Sequence, residues 1–156
     1  MKVSIRNKGD RYQLSCYRPD GSITTGDVGP TLPCHDLAHF VAETHFEIRE
    51  GFYGNVLGGR SVAQLNDEQV IRSLGADAWR SEVLARAITS LHSGACDSEH
   101  CQTLVNTELA AMGIAPMETL SARVARELLE SFQGHLARFE AMGEGGSLEL
   151  DFRVPS

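Results

Sequence analysis

The chain has 156 residues, of which 42% are hydrophobic and 22% are charged. This length and composition suit one ordinary domain with its own core, and they exclude a disordered tail, a collagen-like fibre and a membrane protein. The net charge is −7, from 14 Lys and Arg against 21 Asp and Glu. We therefore expect no nucleic-acid partner and no membrane partner, since both select basic patches.

The two ends of the chain predict strands. Apolar and polar residues alternate over 3–5 and 12–16, and a turn sequence follows each run. This pattern favours a meander of two or three short antiparallel strands over the first thirty residues. Residues 148–154 again carry an apolar side chain at every second position. Because a lone hairpin is marginally stable, we expect this last strand to pair with the meander.

Between the strands, the apolar residues follow a helical period. It predicts four helices, which run from Pro33 to about Arg49, from an N-cap at Asp77 to Ser93, from Asp97 or Ser98 to Gly113, and from about Leu120 to Phe139. Residues 51–76 are glycine-rich at first and predict turns, then a short helix after Asp67. The sequence thus predicts one α+β domain over 1–156, a small antiparallel sheet covered by about four helices.

The first predicted helix, over 34–49, carries two histidines and two acidic residues on one face. His35 and His39 are one turn apart, and Asp36 falls near Glu43 on the same polar stripe. The apolar residues of the helix occupy the opposite side, which we assign to the core. The polar stripe is then expected to face water, a cleft or a partner.

Two histidines four residues apart can bind one divalent ion from successive turns, with a carboxylate as third ligand and water as the fourth. We predict His35, His39 and Glu43 as the ligands and zinc as the expected ion. Glu43 and Asp36 are the predicted catalytic carboxylates, the first as general base and the second orienting an imidazole. Glu43 lies two turns from His35, which is long for a shared ion. The resulting hypothesis is hydrolase-like chemistry on a small-molecule substrate.

A second hypothesis gives the same helix face a structural or partner-binding role. Asp36 in the first turn complements the helix dipole, and Glu43 simply faces solvent. The protein would then be a non-catalytic interaction or regulatory protein, with a homodimer as one expected form.

A later group of ligand-type residues favours a structural interpretation. The Cys-x4-Cys spacing of Cys96 and Cys101 has no second matching pair, and His100 points elsewhere than its neighbour on a helix. Cys101 falls on an apolar stripe, as a buried small hydrophobe would. We also assign Trp79 to the core, because it lies on a regular helical stripe.

The N-terminus and the cysteines indicate the cytoplasm. Residues 1–6 contain no apolar leader, and no window reaches the roughly 18 apolar residues of a spanning helix. The four cysteines are too few and too irregularly spaced for a secreted disulfide scaffold. We therefore expect reduced thiols in a cytoplasmic protein.

The motif His35-Asp-Leu-x-His39-Phe-x-x-Glu43, followed by Gly51-Phe-Tyr-Gly54 and a run of small residues, resembles a group of small bacterial proteins. These proteins share a His-Asp-Leu-x-His-aromatic-x-x-Glu helix and then a Gly-aromatic-aromatic-Gly turn. The resemblance covers roughly residues 1–65. It implies a shared fold and a shared site. Because the group has no established activity, the resemblance implies no catalytic role.

Overall fold

Both ends of the chain contribute to one antiparallel sheet. In the computed structural model, which describes residues 1–30 and 33–155, its strands are β1 (Lys2–Asn7), β2 (Tyr12–Tyr17), β3 (Ile23–Val28) and β4 (Ser147–Asp151). Their order across the sheet is β3-β2-β1-β4. β4 pairs with β1, which places Val3 opposite Leu150 and Ile5 opposite Leu148. The predicted pairing of the C-terminal strand with the N-terminal meander is confirmed.

Seven helices lie between β3 and β4 in the described part of the chain. They are α1 (Pro33–His45), α2 (Phe52–Leu57), α3 (Val62–Leu65), α4 (Glu68–Ser73), α5 (Ala76–Ser93), α6 (Ser98–Ala111) and α7 (Ala122–Glu140). The four long helices α1, α5, α6 and α7 are the predicted ones, so the α+β class is confirmed. Of the three short helices, α4 begins directly after its N-cap Asp67, as the sequence predicts, whereas α2 and α3 were not predicted. Over the described residues, no helix is at once long and apolar enough to cross a membrane.

The core lies between the helices and one face of the sheet. Alternate strand residues such as Val3, Ile5 and Leu148 are almost completely buried, as the period of two requires. Aromatic rings connect the layers, since Phe40 of α1 and Tyr53 of α2 both pack against Phe152 just beyond β4. The helix α1 also packs against α5 and α7. It is therefore an interior helix, and its polar side chains have to be accommodated inside the protein.

Two helix ends match the predicted signals. The Asp97 side chain caps α6 by accepting a hydrogen bond from the amide of His100. Gly94 ends α5 in the left-handed conformation, with φ of 81°, which glycine adopts without steric cost.

Three other boundaries were predicted wrongly. α1 ends at His45 rather than Arg49, because the chain turns sharply at Glu47, which has φ of 54°. The N-cap of α5 is Gly75, so Asp77 lies within the first turn. The expected Gly-aromatic-aromatic-Gly turn is instead the start of α2, with Gly51 as its N-cap.

Arg18, in the turn after β2, fastens the C-terminal end of α2 to the sheet. Its Nε donates a hydrogen bond to the carbonyl of Val56 at 2.6 Å, and its Nη2 donates to the carbonyl of Arg60 at 2.6 Å. A guanidinium at this end also complements the helix dipole. The side chain thereby holds the C-terminal end of α2, and the residues that follow it, against the turn after β2.

Candidate metal centre

α1 and α5 bring three ligand-type side chains together. The Nε2 atoms of His35 and His39 lie 3.1 Å apart, and Glu82 Oε2 lies 3.0 Å from the latter and 3.3 Å from the former. The two histidines share a face of α1, while Glu82 reaches them from α5. In residues 1–30 and 33–155, these three side chains form the one group of His, Cys, Asp or Glu that could hold a metal ion.

The spacing of these three atoms suits a tetrahedral ion. Zinc binds histidine nitrogen at about 2.0–2.1 Å, so that two ligand atoms in a tetrahedral site lie about 3.3 Å apart. The three edges of the cluster, from 3.0 to 3.3 Å, come close to this separation. Three protein ligands leave the fourth position for water or substrate, as catalytic zinc sites require.

The cluster lies at the wall of a cleft, where its members are unequally exposed. The side chains of His35 and Glu82 are 37% and 35% exposed, whereas that of His39 is 6% exposed. The cleft has a volume of about 380 Å³, within the range of small-molecule sites. The other lining residues are mainly apolar and belong to the segment of the chain that runs from α1 to α5. They are Asp36, Phe52, Leu65, Asn66, Ile71, Leu74, Ala78 and Trp79.

A buried relay fixes the ring of His39 from behind. Its Nδ1 lies 2.8 Å from Ser81 Oγ, and that hydroxyl donates a hydrogen bond to Glu43 Oε1 at 2.7 Å. Because the single hydroxyl proton goes to Glu43, the serine oxygen accepts from the Nδ1–H of His39. This leaves Nε2 as the atom that faces the cluster. Such outer partners orient the imidazole ligands of metal sites.

Glu43 is fully buried and is held by three donors. Besides Ser81, the amide of Phe52 donates to Oε1 at 2.6 Å and the amide of Gly54 donates to Oε2 at 3.2 Å. The carboxylate therefore caps α2, whose own N-cap, Gly51, has no side chain to do so. A Cβ on Gly51 would overlap the Glu43 carboxyl group, so glycine is required for this approach.

The charges of the cluster are coupled. Burial alone would lower the pKa of His39, but hydrogen bonds to Glu43 and Glu82 and their negative charges outweigh it and raise this pKa to about 9. Hydrogen bonds from His35 and His39 hold the pKa of Glu82 well below its usual range, against the effect of burial. Without a metal ion, His39 is therefore a cation at neutral pH, and an ion that binds there has to displace its proton.

Asp36 adds a buried acidic group to the cleft wall. The residue is 8% exposed, and its Oδ2 has no hydrogen-bond partner among residues 1–30 and 33–155. Burial raises the pKa of this carboxyl to about 6, although His39 and His35 act in the opposite direction. An unpaired buried carboxylate is costly, and this oxygen is shielded both from solvent and from donors among the described residues.

The structure brings together two of the three predicted metal ligands, His35 and His39. Glu43 lies on the far side of the His39 ring, 3.4 Å from Nδ1, where its oxygens are occupied by other donors. The acidic member of the cluster is Glu82, which the sequence analysis does not select. The sequence offers one signal for this region. Ser81, the residue before Glu82, lies four residues before Ala85 and seven before Ile88, which places a polar side chain on the apolar face of α5.

Of the three settings expected for the polar stripe, the structure shows a cleft for His35, Asp36 and His39. Glu43 does not face solvent but lies in the interior. Trp79, which we assigned to the core, instead lines the cleft and is partly exposed. Cys101 is buried, as its apolar stripe predicts.

No model of a known protein family matches the chain, and comparisons with curated proteins and with solved structures also give no match. The chemical interpretation therefore depends on the geometry of the site.

Proposed function

We propose that this protein is a hydrolase that binds one divalent ion, zinc, through His35 Nε2, His39 Nε2 and Glu82 Oε2. The observation that carries the proposal is the close approach of these three atoms, each within 3.3 Å of the other two, at the wall of a cleft. Nitrogen and carboxylate ligands are those that zinc prefers in hydrolytic sites. Zinc bound there would lower the pKa of a bound water to near 7 and make it a nucleophile.

The protein's own residues have distinct parts in this proposal. The relay from Glu43 through Ser81 holds the Nδ1–H of His39, so that Nε2 is presented as a ligand in one fixed orientation. Glu43 is therefore a positioning residue, since its oxygens are occupied and it does not line the cleft. The side chains of His35 and Glu82 are partly exposed, so the open side of the cluster faces the cleft. A small substrate would meet the metal-bound water there.

The alternative, an interaction protein that uses the same face of α1, requires that face to be accessible. Asp36, His39 and Glu43 are all at most 8% exposed, because α1 is an interior helix. His35 is the one member of the predicted stripe with substantial exposure. Burial of the other three side chains thus favours the metal centre over a partner-binding surface.

The test is the metal content and hydrolytic activity of protein prepared without an affinity tag and equilibrated with zinc. We expect one zinc per chain by elemental analysis, and loss of at least nine tenths of it in the variant His35→Ala/His39→Ala. The matched control is His92→Ala/His100→Ala, which also removes two imidazoles, both exposed, and should keep the ion. Wild type without bound zinc, or equal loss in both variants, would overturn the site.

Hydrolysis is measured separately with 4-nitrophenyl acetate, an activated ester. We expect a zinc-dependent rate in wild type and in the control variant, and none above background in His35→Ala/His39→Ala. Stoichiometric zinc with no zinc-dependent hydrolysis of this ester or of matched amide probes would retain the metal centre but refute the hydrolase assignment.

A further inference from the structure

We propose that the cleft recognises a small apolar amine, whose ammonium group binds the carboxylate of Asp36 beside the metal cluster. The inference deepens the proposed function, because it names the chemical class of the substrate. Binding of the amine depends on Asp36 and the cleft walls, so that it can be measured with or without zinc.

The first observation is the unpartnered carboxylate. Asp36 is more than nine tenths buried, lines the cleft and has an oxygen without a hydrogen-bond donor in the described residues. A buried charge of this kind is destabilising unless a partner compensates it. The hydroxyl of Tyr53 does not supply this partner, since it donates to the main-chain carbonyl of Asp36. Oδ2 itself is shielded from solvent, so a ligand would approach the carboxylate where the residue lines the cleft, and its N–H donors and positive charge would compensate the buried charge from that side.

The second observation is the character of the remaining walls. Aromatic rings of Phe52 and Trp79 and the aliphatic side chains of α3 and α4 provide most of the lining. These surfaces would contact an apolar body, and the two aromatic faces are suited to lie near a cation. The volume of about 380 Å³ limits that body to a small molecule, such as one substituted ring.

The third observation is the charge of the cleft. Its described lining includes the two acidic residues Asp36 and Glu82, but neither lysine nor arginine. Among the lining residues, an anionic ligand would therefore meet no cationic side chain except a protonated histidine of the metal cluster. A carboxylate or phosphate placed against Asp36 would be repelled, whereas an ammonium would be attracted.

The positions of the groups connect this recognition to the proposed reaction. Asp36 directly follows His35 in α1 and lies one turn before His39, so the ammonium subsite adjoins the metal cluster. A substrate held by its amine at Asp36 would therefore present a neighbouring bond to the water at the cluster. An amide or ester of a small apolar amino compound fits this arrangement.

The experiment compares three probes of nearly the same shape, namely benzylamine, benzyl alcohol and benzoate. Dissociation constants are measured by NMR titration at pH 7.5, both with zinc and after removal of metal by a chelator. We expect benzylamine to bind at least tenfold more tightly than benzyl alcohol and benzoate to bind most weakly to metal-free protein. Equal affinities, a preference for benzoate in metal-free protein, or no binding of any probe would overturn the proposal.

The variant Asp36→Asn tests the residue. It keeps the shape of the side chain, and we expect it to abolish the tenfold preference while leaving the affinity for benzyl alcohol within a factor of two. The matched control is Asp77→Asn on α5, which removes a carboxylate that pairs with Arg80 and does not line the cleft. A preference that survives in Asp36→Asn, or is lost in Asp77→Asn, would refute the assignment.

The two proposals fail in distinguishable ways. An amine preference in metal-free protein without any zinc binding would leave the cleft as an amine-binding site and refute the hydrolase. Zinc binding and ester hydrolysis without an amine preference would retain the hydrolase and refute the role of Asp36.

Discussion

The substitution Glu43→Gln examines the buried relay behind His39. The glutamine amide has nearly the shape of the carboxylate, but only one of its two terminal atoms accepts hydrogen bonds. Its best orientation places the oxygen at Oε1, which keeps the bonds from Phe52 and Ser81. The NH₂ group then faces the amide of Gly54, so that two donors meet where a bond now exists.

The expected cost follows from these three contacts. A buried amide without an acceptor costs about 1–3 kcal/mol, and hydrogen bonds to a charged acceptor are worth more than those to a neutral one. We therefore expect the free energy of unfolding to fall by about 3 kcal/mol. For a domain of this size, this corresponds to a decrease in Tm of about 6–12 °C.

The assay is urea denaturation at pH 7.5 followed by circular dichroism, together with zinc titration of the folded variant. Since outer partners of metal ligands typically contribute 10–100-fold to affinity, we expect zinc binding to weaken by about that factor. The control is Glu130→Gln, which changes an exposed carboxylate on α7. If Glu43→Gln unfolds within about 0.5 kcal/mol of wild type, the value expected for a neutral surface change, the reasoning is refuted.

The remaining predictions concern pH and glycine. The pKa of His39 is raised from 6.5 to about 9 in the metal-free fold, so its stabilising effect is complete below about pH 6.5 and is lost as the pH rises through 9. Urea denaturation in chelator should show about 3 kcal/mol less stability at pH 9.5 than at pH 6.5, and a change of opposite sign would contradict the assigned charge. Gly51→Ala should lower Tm by several degrees, because the added methyl group displaces the carboxylate of Glu43. Gly134→Ala is the matched substitution, since this exposed site within α7 has room for a methyl group. It should raise the free energy of unfolding by about 0.5–1 kcal/mol, and a decrease would contradict the open surroundings of the site.

Most of the fold could be predicted because its signals are local. Alternation in residues 3–5 and 148–154 identifies strands, and the apolar face that they share leaves few ways to bury them other than in one sheet. The long helices have clear apolar stripes and recognisable ends, such as Gly94. α2 could not be predicted in this way, because its N-terminus is capped by Glu43 from another helix rather than by a neighbour in sequence.

Only the part of the site that lies on one helix could be predicted from the sequence. His35 and His39 lie on one helix, where spacing alone places them side by side. Glu82 comes from a helix more than forty residues later, and only the docking of α5 on α1 determines which of its residues face the histidines. The amphipathic pattern suggested that the polar side of α1 is its outer side. It did not reveal that further helices cover that side and convert polar surface into a buried relay.

The two ends of α2 have a consequence for the order of folding. A six-residue helix is too short to persist in water by itself, since nucleation is unfavourable and few hydrogen bonds follow it. Here Glu43 supplies a negative charge at one terminus and Arg18 a positive charge at the other, and each comes from an element elsewhere in the chain. α2 should therefore consolidate only once α1 and the β2–β3 hairpin are in position, with small φ-values for substitutions within it. This wall of the cleft is then among the last parts of the native state to form.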